Sequence, residues 1–382
     1  MPALFGSDPL LQSLALADLW AGGALALIVG GSHASGEAVW AEAEGRRLSL
    51  SDLDVYAIVP DRTAQRMAIR RMRADQAGLR ARLLSWGMAA PLEVAFVVPR
   101  DLGRLAARPA TLELKRRGRV AKGDASWLGR VPDWRPADVS EEEIRLLLEN
   151  RAFDLLACRP DGSVGLAALQ ARHAWLKCAL DLVRVEALFD GAWIGEAASL
   201  PAWSGRSGRP LLPALAAPRF RSLLDTALAW RSGRVDAIDP AAARCEWQAV
   251  VEAWAAVWRE RVGPSLADAL RSARRAPLRR RLRCALLWPA RSGRGPSPAS
   301  RLLHALRGTP QHRVNAAAAI LLLRAAGAEG GETAIPRDAR RALAALGVVE
   351  PQALADWSRA ARAVVCAWDR WVLDGQRTAE PA

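Results

Sequence analysis

Apolar residues recur along this chain with two different periods, and the change from one to the other divides it. Leu25-Ala26-Leu27-Ile28-Val29 is a short unbroken apolar run ending in Gly30-Gly31-Ser32, the pattern of a buried strand entering a turn. Residues 53–59, closed by Pro60, read as a second strand, and the alternating Leu-Glu-Val-Ala-Phe-Val-Val of 92–98, closed by Pro99, as a third. Ahead of them, Leu10, Leu11, Leu14, Leu16 and Leu19 are spaced for a helix that Gly22-Gly23 would stop. Residues 35–43 are helix-like, and the arginine-rich stretch 62–84 has helical spacing throughout. These pieces predict a compact α+β domain with a small mixed sheet and helices, complete by residue 125.

From residue 141 onward the spacing is helical. Ser140 followed by Glu141-Glu142-Glu143 marks a helix start, because acidic side chains suit the positive end of the helix dipole. Over 166–189, Leu169, His173, Leu176, Leu180 and Val183 fall on one stripe, and 218–230 and 241–261 are amphipathic in the same way. Residues 263–300 are rich in Pro, Gly, Ser and Arg, with 291–300 reading as a linker; helical spacing resumes over 300–326 and 337–374. The expected organisation is therefore an α+β domain at 1–125, an all-α helical domain at 126–262, a basic linker at 263–300 and a C-terminal helical segment at 301–382.

The formal net charge of +14 is almost wholly arginine, since Lys115, Lys122 and Lys177 are the lysines. Such a surface attracts nucleotides, nucleic acid or acidic polysaccharide. A GC-rich coding sequence would enrich arginine, alanine and tryptophan to the same extent with no such partner. Five cysteines, widely spread and without a Cys-x-x-Cys, argue against a disulfide framework or a zinc site and fit a reducing cytoplasm. No cationic segment precedes an apolar run at the start. The most apolar windows, 24–29 and 316–323, are far too short to span a bilayer, so a cytoplasmic protein without a membrane partner is expected.

The candidate chemistry sits in Ser51-Asp52-Leu53-Asp54. Two aspartates one residue apart on a strand share a face, so their carboxylates can converge on one hard cation or share a pair. A Gly-Gly-Ser turn upstream can bring backbone N–H groups and a hydroxyl close to phosphate. Together these residues resemble the signature of the DNA polymerase β-like nucleotidyltransferase superfamily, a Gly-Ser turn ending one strand and Asp-x-Asp on the next. Gly30-Gly31-Ser32-His33-Ala34-Ser35-Gly36-Glu37 is similar to the superfamily's Gly-Ser-x-Ala-x-Gly loop, and Ser51 matches its frequent Ser before Asp-x-Asp. Glu93 falls on the strand that carries the third carboxylate, and 113–124, with Gly118-Arg119-Val120 and Gly123-Asp124, resembles the passage after it. Nineteen residues between Ser32 and Asp52 make a longer gap than usual, so 40–48 reads as an insertion, and the third acid is Glu rather than the commoner Asp.

The resemblance implies transfer of a nucleoside monophosphate from an NTP. Asp52, Asp54 and Glu93 would be catalytic and would hold two Mg²⁺ ions; Gly30, Gly31 and Ser32 would bind the nucleotide through its phosphates. A small acceptor with a hydroxyl or phosphate is the leading expectation. Transfer to RNA or to a protein side chain is the alternative, and a degenerate nucleotide-binding member without activity the third.

Other residues have plainer readings. His33 would either touch phosphate or face solvent, and His173, on its apolar stripe, would be a core histidine. Lys177 and Asp181, at i and i+4, would form a surface ion pair, with entry of Lys177 into the cleft as the rival. Trp175, Trp193, Trp203 and Trp230 can stack on a base, yet with 16 tryptophans and one tyrosine, tryptophan is the general core aromatic here. Residues 274–283 would be an exposed basic segment, with a polyanion contact as its functional rival.

Overall fold

A computed structural model describes residues 8–200, 212–235, 239–276, 306–326, 335–349 and 351–368, together with 278–279, 281–282 and 302. The fold is mixed α+β. Helix α1 (Pro9–Ala21) is capped by the Asp8 side chain and stopped by Gly22 in the left-handed conformation, as the leucine spacing and the Gly-Gly pair predict. Strand β1 (Ala26–Val29) enters α2 (Gly31–Ser35), a five-residue helix closed by Gly36. Strands β2 (Trp40–Ala43) and β3 (Arg46–Ser49) form a separate antiparallel pair, followed by β4 (Leu53–Ile58).

Two expectations are corrected in this stretch. Residues 35–43 are helical only at their start, because the following segment pairs as a hairpin. The hairpin turn is Glu44-Gly45, with φ of 55° and 71°, the double positive φ that a two-residue hairpin loop requires. The hairpin is what the expected insertion at 40–48 folds into. The helical stretch 62–84 is two helices, α3 (Arg62–Ala74) and α4 (Leu79–Trp86), broken before Gly78 at a φ of 76°.

Strand β5 (Leu92–Val97), α5 (Pro99–Leu102), α6 (Pro109–Arg117), β6 (Arg119–Lys122) and α7 (Ser126–Gly129) follow. The main sheet has the order β5-β4-β1-β6. Strand β1 is antiparallel to both β4 and β6, while β4 and β5 are parallel. Strand β6 is the fourth member of the sheet, one more than the apolar pattern predicts, since its four residues are mostly exposed and carry Arg and Lys. Leu27, Val29, Leu53, Val55, Ala57 and Phe96 bury one face under Trp20 of α1, Ala68 of α3 and Leu83 of α4. The other face carries a smaller cluster, with Ala26, Ile28, Ile58 and Val97 under Leu102 and Leu114. Alternation along β4 puts Asp54 and Tyr56 on this second, thinly covered face.

The long helices α8 (Glu141–Ala157) and α9 (Leu166–Phe189) lie where the helical spacing predicts them, as do the helices Pro218–Arg231, Pro240–Arg261, Pro310–Ala325, Arg337–Leu346 and Trp357–Trp368. A short helix, Leu266–Ser272, stands within the stretch expected as linker; it forms because Ser265 and Asp268 make a reciprocal capping box. The expected linker 291–300 and residues 369–374 lie outside the described residues.

The chain divides into two compact units. One comprises residues 1–144, 160–208 and 222–243; the other, 145–159, 209–221 and 244–382. In the second unit, the indole N–H groups of Trp247 and Trp254 donate to the carbonyls of Leu155 and Leu148 at 2.8 and 3.0 Å, and Trp357 donates to Leu321 at 3.1 Å. In these three tryptophans the one polar atom of a core ring finds a backbone carbonyl.

Candidate active site

The turn after β1 and the start of β4 are joined by the backbone. Gly30 N–H donates to the Asp54 carbonyl at 2.9 Å, directly beyond the last β1–β4 pair, Val29 with Val55. Gly31 then passes so close that a Cβ there would stand 2.4 Å from Asp54 Oδ2, and its φ is 61°. Both facts call for glycine. The parallel register sets Glu93 of β5 beside Asp54, at the exposed edge of the sheet.

Asp54 is half-buried, and among the described residues its carboxylate accepts no hydrogen bond and makes no ion pair. Burial, and then the negative charges of Asp52 and Glu93, push its pKa up to about 7. Tyr56, two residues on, is pushed up to about 12, by burial first and then by Asp54.

Asp52 has a cationic neighbour. Lys177 Nζ donates to its two carboxylate oxygens at 3.1 and 3.0 Å, from α9. Asp181 is buried rather than on the surface, and pairs with Arg184 at 3.1 Å, so the surface pair expected of Lys177 and Asp181 is corrected. Helical spacing puts residues 177, 181 and 184 on one face of α9.

Glu113 is the acid that the sequence pattern does not single out. It lies on α6 between the buried Leu112 and Leu114, and like Asp54 it has no hydrogen-bond or ion-pair partner among the described residues. Burial raises its pKa, Arg184 pulls it down and Asp181 adds to the rise. A lone glutamate flanked by two core leucines was the available signal.

His33 neither faces solvent nor stands free for phosphate. Its Nε2 lies 3.2 Å from the Ser51 carbonyl and 3.2 Å from Ser49 Oγ, its ring meets Trp40 edge-on, and burial lowers its pKa. Ser51 Oγ accepts from Val39 N–H at 3.0 Å, so the residue before Asp52 is a structural anchor. His173 is buried and accepts the Trp230 indole N–H at 3.3 Å; burial holds its pKa at about 3, and the ring stays neutral. Trp175 and Trp230 are buried, Trp193 is half-buried, and Trp203 lies outside the described residues. In the second unit, the basic run is not uniformly exposed: Arg275 donates to the buried Glu149 at 2.9 Å, and Arg281 to the Leu306 carbonyl at 3.2 Å.

Among the described residues, no three His, Cys, Asp or Glu side chains are gathered closely enough to hold a metal ion, and no helix is long and apolar enough to cross a membrane. Comparison of the chain with models of protein families, with curated proteins and with solved structures finds no match in any of the three.

Proposed function

We propose that the chain is a Mg²⁺-dependent nucleotidyltransferase of the polymerase β-like kind, moving a nucleoside monophosphate from an NTP to a hydroxyl or phosphate of a small acceptor. The observation that carries this is Asp54, a half-buried carboxylate without a donor, pressed against a glycine turn and flanked by Asp52 and Glu93. Such a placement costs stability, and a fold keeps it where a cation or a reaction uses it.

Each carboxylate of the set is a hard oxygen donor of the kind magnesium takes, although among the described residues no three such groups are gathered closely enough to hold an ion by themselves. Asp52, Asp54 and Glu93 offer hard oxygens; among those residues Asp54 accepts no hydrogen bond, Lys177 only partly offsets its burial and its acidic neighbours, and Asp52 faces that ammonium directly. When bound, two ions would neutralise the triphosphate and favour the ionised acceptor oxygen. Gly31 and Ser32 would meet the β- and γ-phosphates through backbone N–H and hydroxyl, one turn from Asp54. Lys177 would add positive charge at the same mouth. The acceptor oxygen would attack the α-phosphorus in line, forming the new P–O bond as pyrophosphate leaves, and the chain's part would be mainly positioning.

A small acceptor is preferred to RNA because Arg275 and Arg281 in the basic run are already engaged within the fold. The test is incubation with Mg²⁺ and each α-³²P-labelled NTP, together with either a small-metabolite extract or total RNA. Label is expected in a small product; label in RNA would move the acceptor assignment, and no transfer from any NTP to any acceptor would contradict the proposal.

A further inference from the structure

We propose that Arg117 is a positioning residue for the Gly30–Ser32 turn, acting through Glu37. The inference rests on the nucleotidyl-transfer reading for its meaning, while its geometry is independent of it.

Arg117 is the last residue of α6, and its side chain is only 18% exposed. It has three acceptors on two segments. Nη1 donates to Glu37 Oε1 at 3.2 Å and to the Gly195 carbonyl at 2.5 Å, and Nη2 donates to the Ser35 carbonyl at 3.2 Å. Glu37 is held from further sides: its Oε1 also accepts Ala197 N–H at 3.2 Å, and its carbonyl accepts Arg231 Nη1 at 3.0 Å. The Glu37 backbone N–H donates to the Ser32 carbonyl at 2.9 Å. A continuous path therefore runs from Arg117 to Glu37, just past the end of the short helix, and back to Ser32, the neighbour of Gly31, which lies against Asp54.

A five-residue helix has little stability of its own and depends on its contacts. Its first residue must keep a left-handed φ within van der Waals reach of a carboxylate, and its last carbonyl is one of Arg117's acceptors. Fixing the exit of α2 fixes its entrance, because the helix is rigid over so short a span. The planar guanidinium can serve three acceptors at once, and a lysine ammonium on a flexible stem cannot reproduce that fork.

The test uses the full chain as wild type, Arg117→Lys, Arg117→Ala and Glu37→Gln. Hydrogen exchange of amides 31–37 reads the clamp directly, and KM for each Mg²⁺–NTP (ATP, GTP, CTP, UTP) reads its use. Arg117→Ala and Glu37→Gln are expected to speed exchange at 31–37 and raise KM about tenfold, the effect of one lost charge-assisted hydrogen bond, with Arg117→Lys intermediate. Loss of folded protein alone would lower kcat and leave KM unchanged. Unchanged exchange and unchanged KM in a folded Arg117→Ala or Glu37→Gln variant would overturn the proposal. If wild type uses no NTP, the functional reading fails, and the exchange measurement still decides the clamp.

Discussion

Lys177 and Asp52, 125 residues apart in the chain, meet in a two-pronged ion pair at 3.0 and 3.1 Å. A helix that follows the sheet in sequence thereby delivers a positive charge to the first acid of Asp-x-Asp. Both side chains are less than one-third exposed, so solvent screens the pair only in part.

Replacing that lysine separates two roles. In Lys177→Met, Mg²⁺ binding without nucleotide is expected to tighten, because the competing ammonium is gone. Nucleotide affinity is expected to weaken about tenfold, because a charge-assisted contact to phosphate is lost. Titrations with Mg²⁺ alone and then with Mg²⁺–NTP measure the two effects. Movement of neither would make the pair a structural one.

Asp54→Asn should stabilise the folded chain while abolishing activity. The amide removes a charge that burial, and then repulsion from Asp52 and Glu93, disfavours enough to raise the Asp54 pKa to about 7. Thermal unfolding at pH 8 is expected at a higher midpoint than wild type, with transfer lower by about a thousandfold. A lower midpoint would show that the carboxylate supports the fold.

His173 supplies a pH dependence. Its pKa is about 3 in the folded chain against an ordinary 6.5, so between those values the unfolded chain takes up a proton that the folded chain refuses. Its contribution to stability is complete above pH 6.5 and falls with decreasing pH by about 1.4 kcal/mol per unit until about pH 3. Urea unfolding of wild type and His173→Gln from pH 7 to pH 4 should converge at that slope. Parallel curves would contradict the neutral buried ring.

In the second unit, Arg275→Ala is expected to cost about 2 kcal/mol, because Glu149 is 1% exposed and loses a charged donor. Arg274→Ala, at an exposed position, should fall within about 0.5 kcal/mol of wild type. Denaturant midpoints of the two variants separate a structural arginine from a surface one in the same basic run.

These cases show what the chain reveals unaided. β1, β4 and β5 were legible because buried strands read as continuous or alternating apolar runs, and α9 because 24 residues give several turns of periodicity. The β2–β3 hairpin was hidden by Trp-Ala-Glu-Ala, which suits a helix, while its positive-φ Glu-Gly turn was the clue that distinguished it. β6 is too short and polar to show a period. Asp54 and Glu93 could be named because they lie on strands whose register pairs them, and Asp52 because it immediately precedes β4. Lys177 could be named only as the rival reading, and Glu113 and Arg117 not at all, since their placement depends on how distant elements pack.

The most direct measurement is pyrophosphate release from Mg²⁺–NTP with an acceptor extract, by wild type and Asp54→Asn at equal folded concentration. Wild type should release one pyrophosphate for each nucleotide incorporated, and Asp54→Asn should fall to background while remaining folded. No release by wild type with any NTP, or equal release by both, would contradict a nucleotidyl-transfer centre built on Asp54.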